Sequence, residues 1–276
     1  MISHAIGKTL AALSASVVLS APVLATVDDD LPTPSTGLFM EYSGSVLIFQ
    51  VAQLTINARL TEQDYSAVAD FESAGLASWF DDTHIEANIS GYIRDESMAP
   101  YRYEHTNHAS SKGRIVGIDF PEGIATPDVT PPFSSMGEPP ATEEERTGAI
   151  DPVSAILSLT IDVLNGADSC TGVREVFDGK ARYNLRFESS GPDRVRTRAF
   201  NGDAEHCRAF LDPISGYDND DRPTPEEVAK PIHVWLSEID GHTVPVKFRA
   251  DTQLGNVTIS ASRILVTQDA FTGSEG

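Results

Sequence analysis

From Leu54 onward the chain alternates between apolar and polar positions. Leu54, Ile56, Ala58 and Leu60 are separated by Thr55, Asn57, Arg59 and Thr61. Tyr65, Ala67, Ala69 and Phe71 share one face of the next segment. Ile85, Ala87, Ile89 and Ile93 then oppose His84, Glu86, Asn88, Ser90, Tyr92 and Arg94. A period of two sustained over several residues predicts strands with one buried face. Ala74 to Phe80 breaks the pattern and fits a short helix or a bend. Arg114 to Phe120 predicts a further strand. The passage from Pro121 to Pro140 also carries Pro127, Pro131, Pro132 and Pro139, and Glu143-Glu144-Glu145 continues it. Proline cannot donate to a sheet ladder, so no central strand is expected there. A loop over 121–148 is predicted, either solvated or acting as a lid.

One helix stands out. Asp151 can cap free N–H groups, and Pro152 is tolerated at the first helical position. Val153, Ile156, Leu157, Thr160 and Leu164 recur at helical spacing, and Asn165-Gly166 closes the run. Beyond it, Asp178-Gly179, Asn201-Gly202 and Asp240-Gly241 read as turns between alternating segments, and Gly255-Asn256 as another bend. Val244 to Ala250 and Val257 to Val266 form the last long pair. No internal repeat is visible, which argues against a propeller or solenoid. One apolar helix stripe and many half-apolar strands must cover each other. The expected fold is mainly β: a strongly curved antiparallel sheet, or open β-barrel, wrapped around one central α-helix.

The first 25 residues change the picture from fold to compartment. Lys8 precedes a small-and-apolar run from Leu10 to Leu19 that is too short to span a bilayer. Val23-Leu24-Ala25 offers small residues at the positions a signal peptidase requires. Residues 1–25 are therefore expected to be a signal peptide cleaved between Ala25 and Thr26. No transmembrane segment is expected. Residues 26–37 read as a flexible leader, 38–268 as a single β-rich domain and 269–276 as a tail. Cys170 and Cys207 are the only cysteines. In an exported chain an even count predicts a disulfide, and closing this loop restricts the unfolded state by about 4 kcal/mol in the chain-entropy account. A net charge of −21 repels phosphate backbones, which excludes nucleic acid as a partner and disfavours docking on anionic membranes.

Candidate chemistry is sparse. His105 and His108 would face opposite sides of a strand, and Asp81-Asp82-x-His84 adds no rigid ligand set, so these read as surface residues and no metal site is expected. Asp218-Asn219-Asp220-Asp221 opens like a calcium loop but lacks its later Gly and Glu, and reads as a solvated acidic turn. There is no nucleophile elbow and no Gly-rich phosphate loop, and no catalytic residue or cofactor is expected. Arg182 and Arg186 alternate with Tyr183, Leu185 and Phe187, and Arg194, Arg196 and Arg198 alternate with Val195 and Thr197. If Ser189 to Asp193 turned the chain back, all five arginines would share one face of a ribbon. Such a face suits an anionic head group, or else pairs with the surplus acids.

Asp151-Pro152-x-Ser154-Ala155, Cys170, Val176-Phe177-Asp178-Gly179-x-x-Arg182-Tyr183, Cys207, Pro213-Ile214-x-Gly216-Tyr217, Pro245 and Leu254-Gly255 stand in a recognisable order. This resembles the bacterial exported domain-of-unknown-function family 3108, over about Gly37 to Val266. The resemblance implies a Gram-negative periplasm and, by analogy, the fold of lipoprotein carriers. It brings no catalytic residues. The functional expectation is a non-enzymatic periplasmic binder of a hydrophobic or amphipathic ligand, a lipid or lipoprotein, in envelope maintenance. The alternatives are a scaffold for another envelope protein and an acid-dependent hydrolase using paired carboxylates.

Overall fold

The computed structural model describes residues 34–47, 49–75, 83–95, 97–109, 113–161, 170–252 and 255–269. The expected signal segment with its Ala25–Thr26 junction lies outside the described residues. So do residues 26–33 of the leader, 76–82, Leu164 to Gly166, Leu254 and the tail beyond Asp269.

The alternating segments form strands in the first half of the chain: β1 (Ser35–Val46), β2 (Phe49–Leu60), β3 (Asp64–Ser73), β4 (His84–Arg94), β5 (Ser97–Asn107), β6 (Ile115–Asp119) and β7 (Thr126–Thr130). The second half supplies β8 (Val173–Phe177), β9 (Arg182–Arg196), β10 (Asn201–Ser215), β11 (Ile232–Ile239), β12 (His242–Thr252) and β13 (Gly255–Asp269). Between the halves stand α1 (Glu143–Arg146) and α2 (Pro152–Ile161), and α3 (Pro225–Val228) follows β10. All thirteen strands belong to one sheet, in the order β7-β6-β5-β4-β3-β2-β1-β13-β12-β11-β10-β9-β8. Each half is thus an antiparallel meander, and the two join through β1 and β13.

This order makes β7 and β8 the two sheet edges, although they are neighbours along the chain. In a flat sheet they would lie about 58 Å apart. The linking segment nevertheless bonds near both. Thr147 pairs with Ile124, just before β7, and Ile150 bridges to Val176 of β8. Gly148 N–H donates to Gly123 O (2.9 Å), Ile150 N–H to Glu175 O (2.8 Å), and Phe177 N–H to Ile150 O (2.9 Å). Three residues reach only about 10 Å, so the sheet must curve until its edges approach. It does not close, because the strap 147–150 lies between them. Bulges at Glu41/Tyr42, Gly44/Ser45, Ser90/Gly91 and Trp235/Leu236 help bend the strands.

The main core gathers Leu38, Met40, Tyr42, Ile56, Tyr65, Leu157, Val244 and Val246. A second cluster surrounds the cysteines with Leu159, Phe187, Ala209, Val234 and Leu236. Cys170 and Cys207 lie at disulfide distance, their Cα atoms 5.2 Å apart. Helix α2 packs against β4, β5, β8 and β12. Its burial does not follow the expected stripe. Ser154, Ala155, Leu157, Ser158, Leu159 and Thr160 are all buried, while Ile156 is only half-buried. Small residues let the neighbouring elements approach closely. Ser158 and Thr160 satisfy their hydroxyls on the Ala155 and Leu157 carbonyls (2.9 and 2.7 Å).

Several boundaries differ from expectation. The sheet begins at Ser35, so Ser35 to Gly37 are strand rather than leader. The 121–148 passage is not one loop. It holds β7, whose Pro127 sits on the sheet edge opposite Ile118, a short 3-10 turn at Pro121–Gly123, and α1. Asp178-Gly179 and Asp240-Gly241 do turn between strands. Asn201-Gly202 does not: the reversal is Thr197–Phe200, closed by Thr197 N–H to Phe200 O (2.7 Å), and Asn201 already pairs with Arg196.

Gly216 is the tightest crossing. Its φ is +83°, and a Cβ there would sit 1.9 Å from Lys180 O and 2.8 Å from Ala181 Cα. Its N–H donates to Pro139 O (2.8 Å), which ties the end of β10 to the segment before α1. Gly216→Ala is expected to cost about 3 kcal/mol or more, through both overlap and backbone strain. Thermal unfolding measures this, and a midpoint within about 1 °C of the parent would show that the crossing has room.

Candidate functional site

The strap is held by side chains on both sides of the gap. In α1 the Thr142 hydroxyl accepts from Glu145 N–H (3.3 Å), and Glu145 Oε2 accepts from Thr142 N–H (2.9 Å). Ser215 donates to the same carboxylate (2.9 Å). These bonds, Thr142 first, with Arg182 nearby, hold Glu145 below the usual carboxylate range. Arg182 Nε donates to Glu145 O (2.6 Å). Its other nitrogens reach Tyr183 O and Asn184 Oδ1 (2.7 Å each) and the Glu175 carboxylate. Arg146 donates to Ala125 O. Arg182 therefore locks α1, which leads into the strap, to β8 and β9.

Behind the strap the chain enters α2 through a buried polar network. Asp151 Oδ1 accepts from the N–H groups of Val153 and Ser154 (2.9 Å each), which confirms the cap. Burial pushes its carboxyl up to about 6 despite these bonds, and Oδ2 has no hydrogen-bond partner. The Ser154 hydroxyl meets the Tyr65 hydroxyl at 2.7 Å. Tyr65 gets there because its ring lies across Gly91 of β4, where a Cβ would be 2.6 Å from the ring. Next to it, Tyr103 Oη and His105 Nδ1 are 3.0 Å apart. Burial lowers His105 and raises both tyrosines. The network orients α2, and the partner of Ser154 is a buried neutral phenol rather than a histidine.

On the outside of the gap lie two adjoining clefts, of ≈ 420 Å³ and ≈ 230 Å³, that share Met98, Gly148 and Ile150. The larger is walled by Met98, Pro100, Phe120 and Ala149, with Tyr92 and Tyr101 among its lining residues. Those two rings are 44% and 48% exposed and tilt against each other at 5.2 Å. The Arg94 guanidinium lies over Tyr92, 4.7 Å from the ring centre. In the smaller cleft Arg174 Nε donates to Ser158 Oγ of α2 (2.9 Å). The tyrosine lip comes from the β4/β5 bulge. Ser90 pairs with Arg102 but Gly91 with Pro100, so Tyr101 is the extra residue.

That bulge also explains why β5 was missed in the sequence. Met98 and Pro100 are buried, and so is Tyr103, whose parity is opposite. The alternation breaks in mid-strand and its signal cancels. A bulge likewise undoes the expected five-arginine face. Ser189 to Asp193 do not reverse the chain; β9 continues, with Ser189 opposite Cys207 and Pro192 opposite Glu205. The extra residue inverts the alternation, so Arg182 and Arg186 lie on one side of the sheet and Arg194 and Arg196 on the other. Arg186 pairs with Glu188 and Asp212, and Arg194 with Asp203, while Arg198 falls in the following turn. Asp218 receives Lys180 Nζ and Ser135 Oγ (2.6 Å each), and these bonds hold its carboxyl low. His105 and His108 separate as expected: His105 meets Tyr103, and His108 packs beside His84.

Asp151 makes stability depend on pH in a defined direction. Its folded value, about 6, lies above its ordinary value of 3.8, so between these pH values the folded chain binds the extra proton. Its contribution is complete below about pH 4 and is lost as pH rises through 6, by roughly 3 kcal/mol at most. Asp151→Asn keeps a capping oxygen and removes the titration. Urea unfolding at pH 4, 5, 6 and 7 should show the parent losing stability relative to this variant as pH rises. Parallel curves would refute the assignment.

No curated protein matches the chain. Among solved structures, it is similar to the crystal structure of a beta-barrel-like protein of domain of unknown function DUF1849 from Brucella abortus. Identity is 7%, the alignment covers 85% of this chain and 98% of that one, and the TM-score is 0.49. Among the described residues no helix is long and apolar enough to cross a membrane. The family model described as "Protein of unknown function (DUF3108)" matches residues 40–262, which spans Asp151, Ser154, both cysteines, Arg182 and Gly216, and the chain belongs to that family.

Proposed function

We propose that the protein is an exported, non-enzymatic binder of an amphipathic ligand, with one aliphatic chain and an anionic head, serving the envelope of a Gram-negative cell. Strands β4, β5, β8 and β12 pack against α2, and the cleft beside the strap is where a ligand enters. The observation that carries this reading is the cleft beside the strap: an apolar floor of Met98, Phe120 and Ile150 beneath two exposed tyrosines. Its ≈ 420 Å³ falls within the ~300–1,000 Å³ of typical small-molecule sites. Arg94 and Glu122 both line the cleft, and the Arg94 guanidinium over Tyr92 is the group that fits an anionic head. The cysteine pair at disulfide distance supports an oxidising compartment.

The test is binding of a fluorescent sixteen-carbon fatty acid to the purified chain, together with lipid mass spectrometry of protein taken from native periplasm. The parent should bind the probe and carry a lipid. Tyr92→Ala with Tyr101→Ala should weaken binding about tenfold and leave the melting temperature unchanged, since both rings are exposed. An empty native protein that ignores the probe would remove the proposal.

A further inference from the structure

On β3 and β4, away from the cleft, the register sets Glu72 opposite His84 and Asp70 opposite Glu86. Asp70 and Glu72 are two apart on one strand, so their side chains share a face with His84 and Glu86. His84 Nε2 lies 2.9 Å from Asp70 Oδ2 and 3.6 Å from Glu72 Oε1. One donor atom from each of the three falls within 4.8 Å of the others. The His84 ring is backed by His108, with ring centres 4.9 Å apart.

We propose that Asp70, Glu72 and His84 form a site for a divalent transition-metal ion, with zinc the best match. Four tetrahedral donors at about 2.0–2.1 Å from zinc stand about 3.3 Å from one another. The two His84 distances straddle that value. All three donors sit on paired strands, so the ladder holds their spacing. Two carboxylates, those of Asp70 and Glu72, reach one imidazole, and Glu86 stands opposite Asp70 on the neighbouring strand. Like charges directly opposite on a sheet destabilise it, and a dication offsets that repulsion. An imidazole nitrogen beside carboxylates favours zinc over calcium or magnesium, which take oxygen donors alone. The three side chains are 36%, 53% and 39% exposed, so an ion enters without any opening of the fold, and water completes the fourth position. The sequence concealed this set. His84 appeared beside Asp81 and Asp82, whereas its partners lie more than ten residues earlier, across a hairpin.

The experiment is calorimetric titration of Zn²⁺ alone into the full purified chain after chelator treatment and dialysis. One ion per chain should bind. His84→Ala and Asp70→Asn should each weaken binding about a hundredfold, more than loss of an outer partner usually costs. Unchanged far-ultraviolet circular dichroism would show that both variants fold. His206→Ala should leave binding intact, because His206 meets His233 (2.8 Å) at a distant pair on β10 and β11. No saturable binding by the parent would overturn the proposal. So would binding that survives both His84→Ala and Asp70→Asn, or that is lost in His206→Ala.

Discussion

The fold depends on how the two free edges of a long sheet are satisfied. An edge strand presents unpaired N–H and C=O groups, and an exposed edge recruits other chains. Here β7 and β8 do not pair with each other, yet the few residues from Thr147 to Ile150 bond beside one and to the other. Everything near the candidate ligand site follows from that. The strap sets the entry into α2, the buried cap of Asp151, the anchoring role of Arg182 and the cleft that borders the gap.

The strap also explains the composition of the Pro-rich passage. Proline is excluded from central strands but fits an edge such as β7, where Pro127 stands. Acidic residues in α1 suit the N-terminal end of a helix and complete its cap. What looks in sequence like a solvated insert is structural cement, fastened to the turn at Gly216 and to the β8–β9 hairpin.

Legibility in the sequence followed regularity. β2, β3 and β4 were clear because one face of each is apolar over several alternate residues. The start of α2 was clear because capping is local chemistry at Asp151 and Pro152. β5 and the β9 bulge were not, since each gains a residue in mid-strand that cancels the two-residue period. The helix stripe misled for another reason: α2 is enclosed on most sides, so small and hydroxyl residues matter as much as Ile156. The tyrosine lip and the His84 cluster depend on register between strands, which no single segment records.

The pairing of β1 with β13 carries a consequence of its own. Ser35 meets Asp269 and Val46 meets Val257, so the middle of the sheet joins the first and last of the described strands. Neither meander can acquire its central neighbour until both β1 and β13 have been made. Contacts so distant along the chain form slowly. Within each meander the paired strands are consecutive in sequence, so the seam between β1 and β13 is the one pairing among the described strands that waits for both halves.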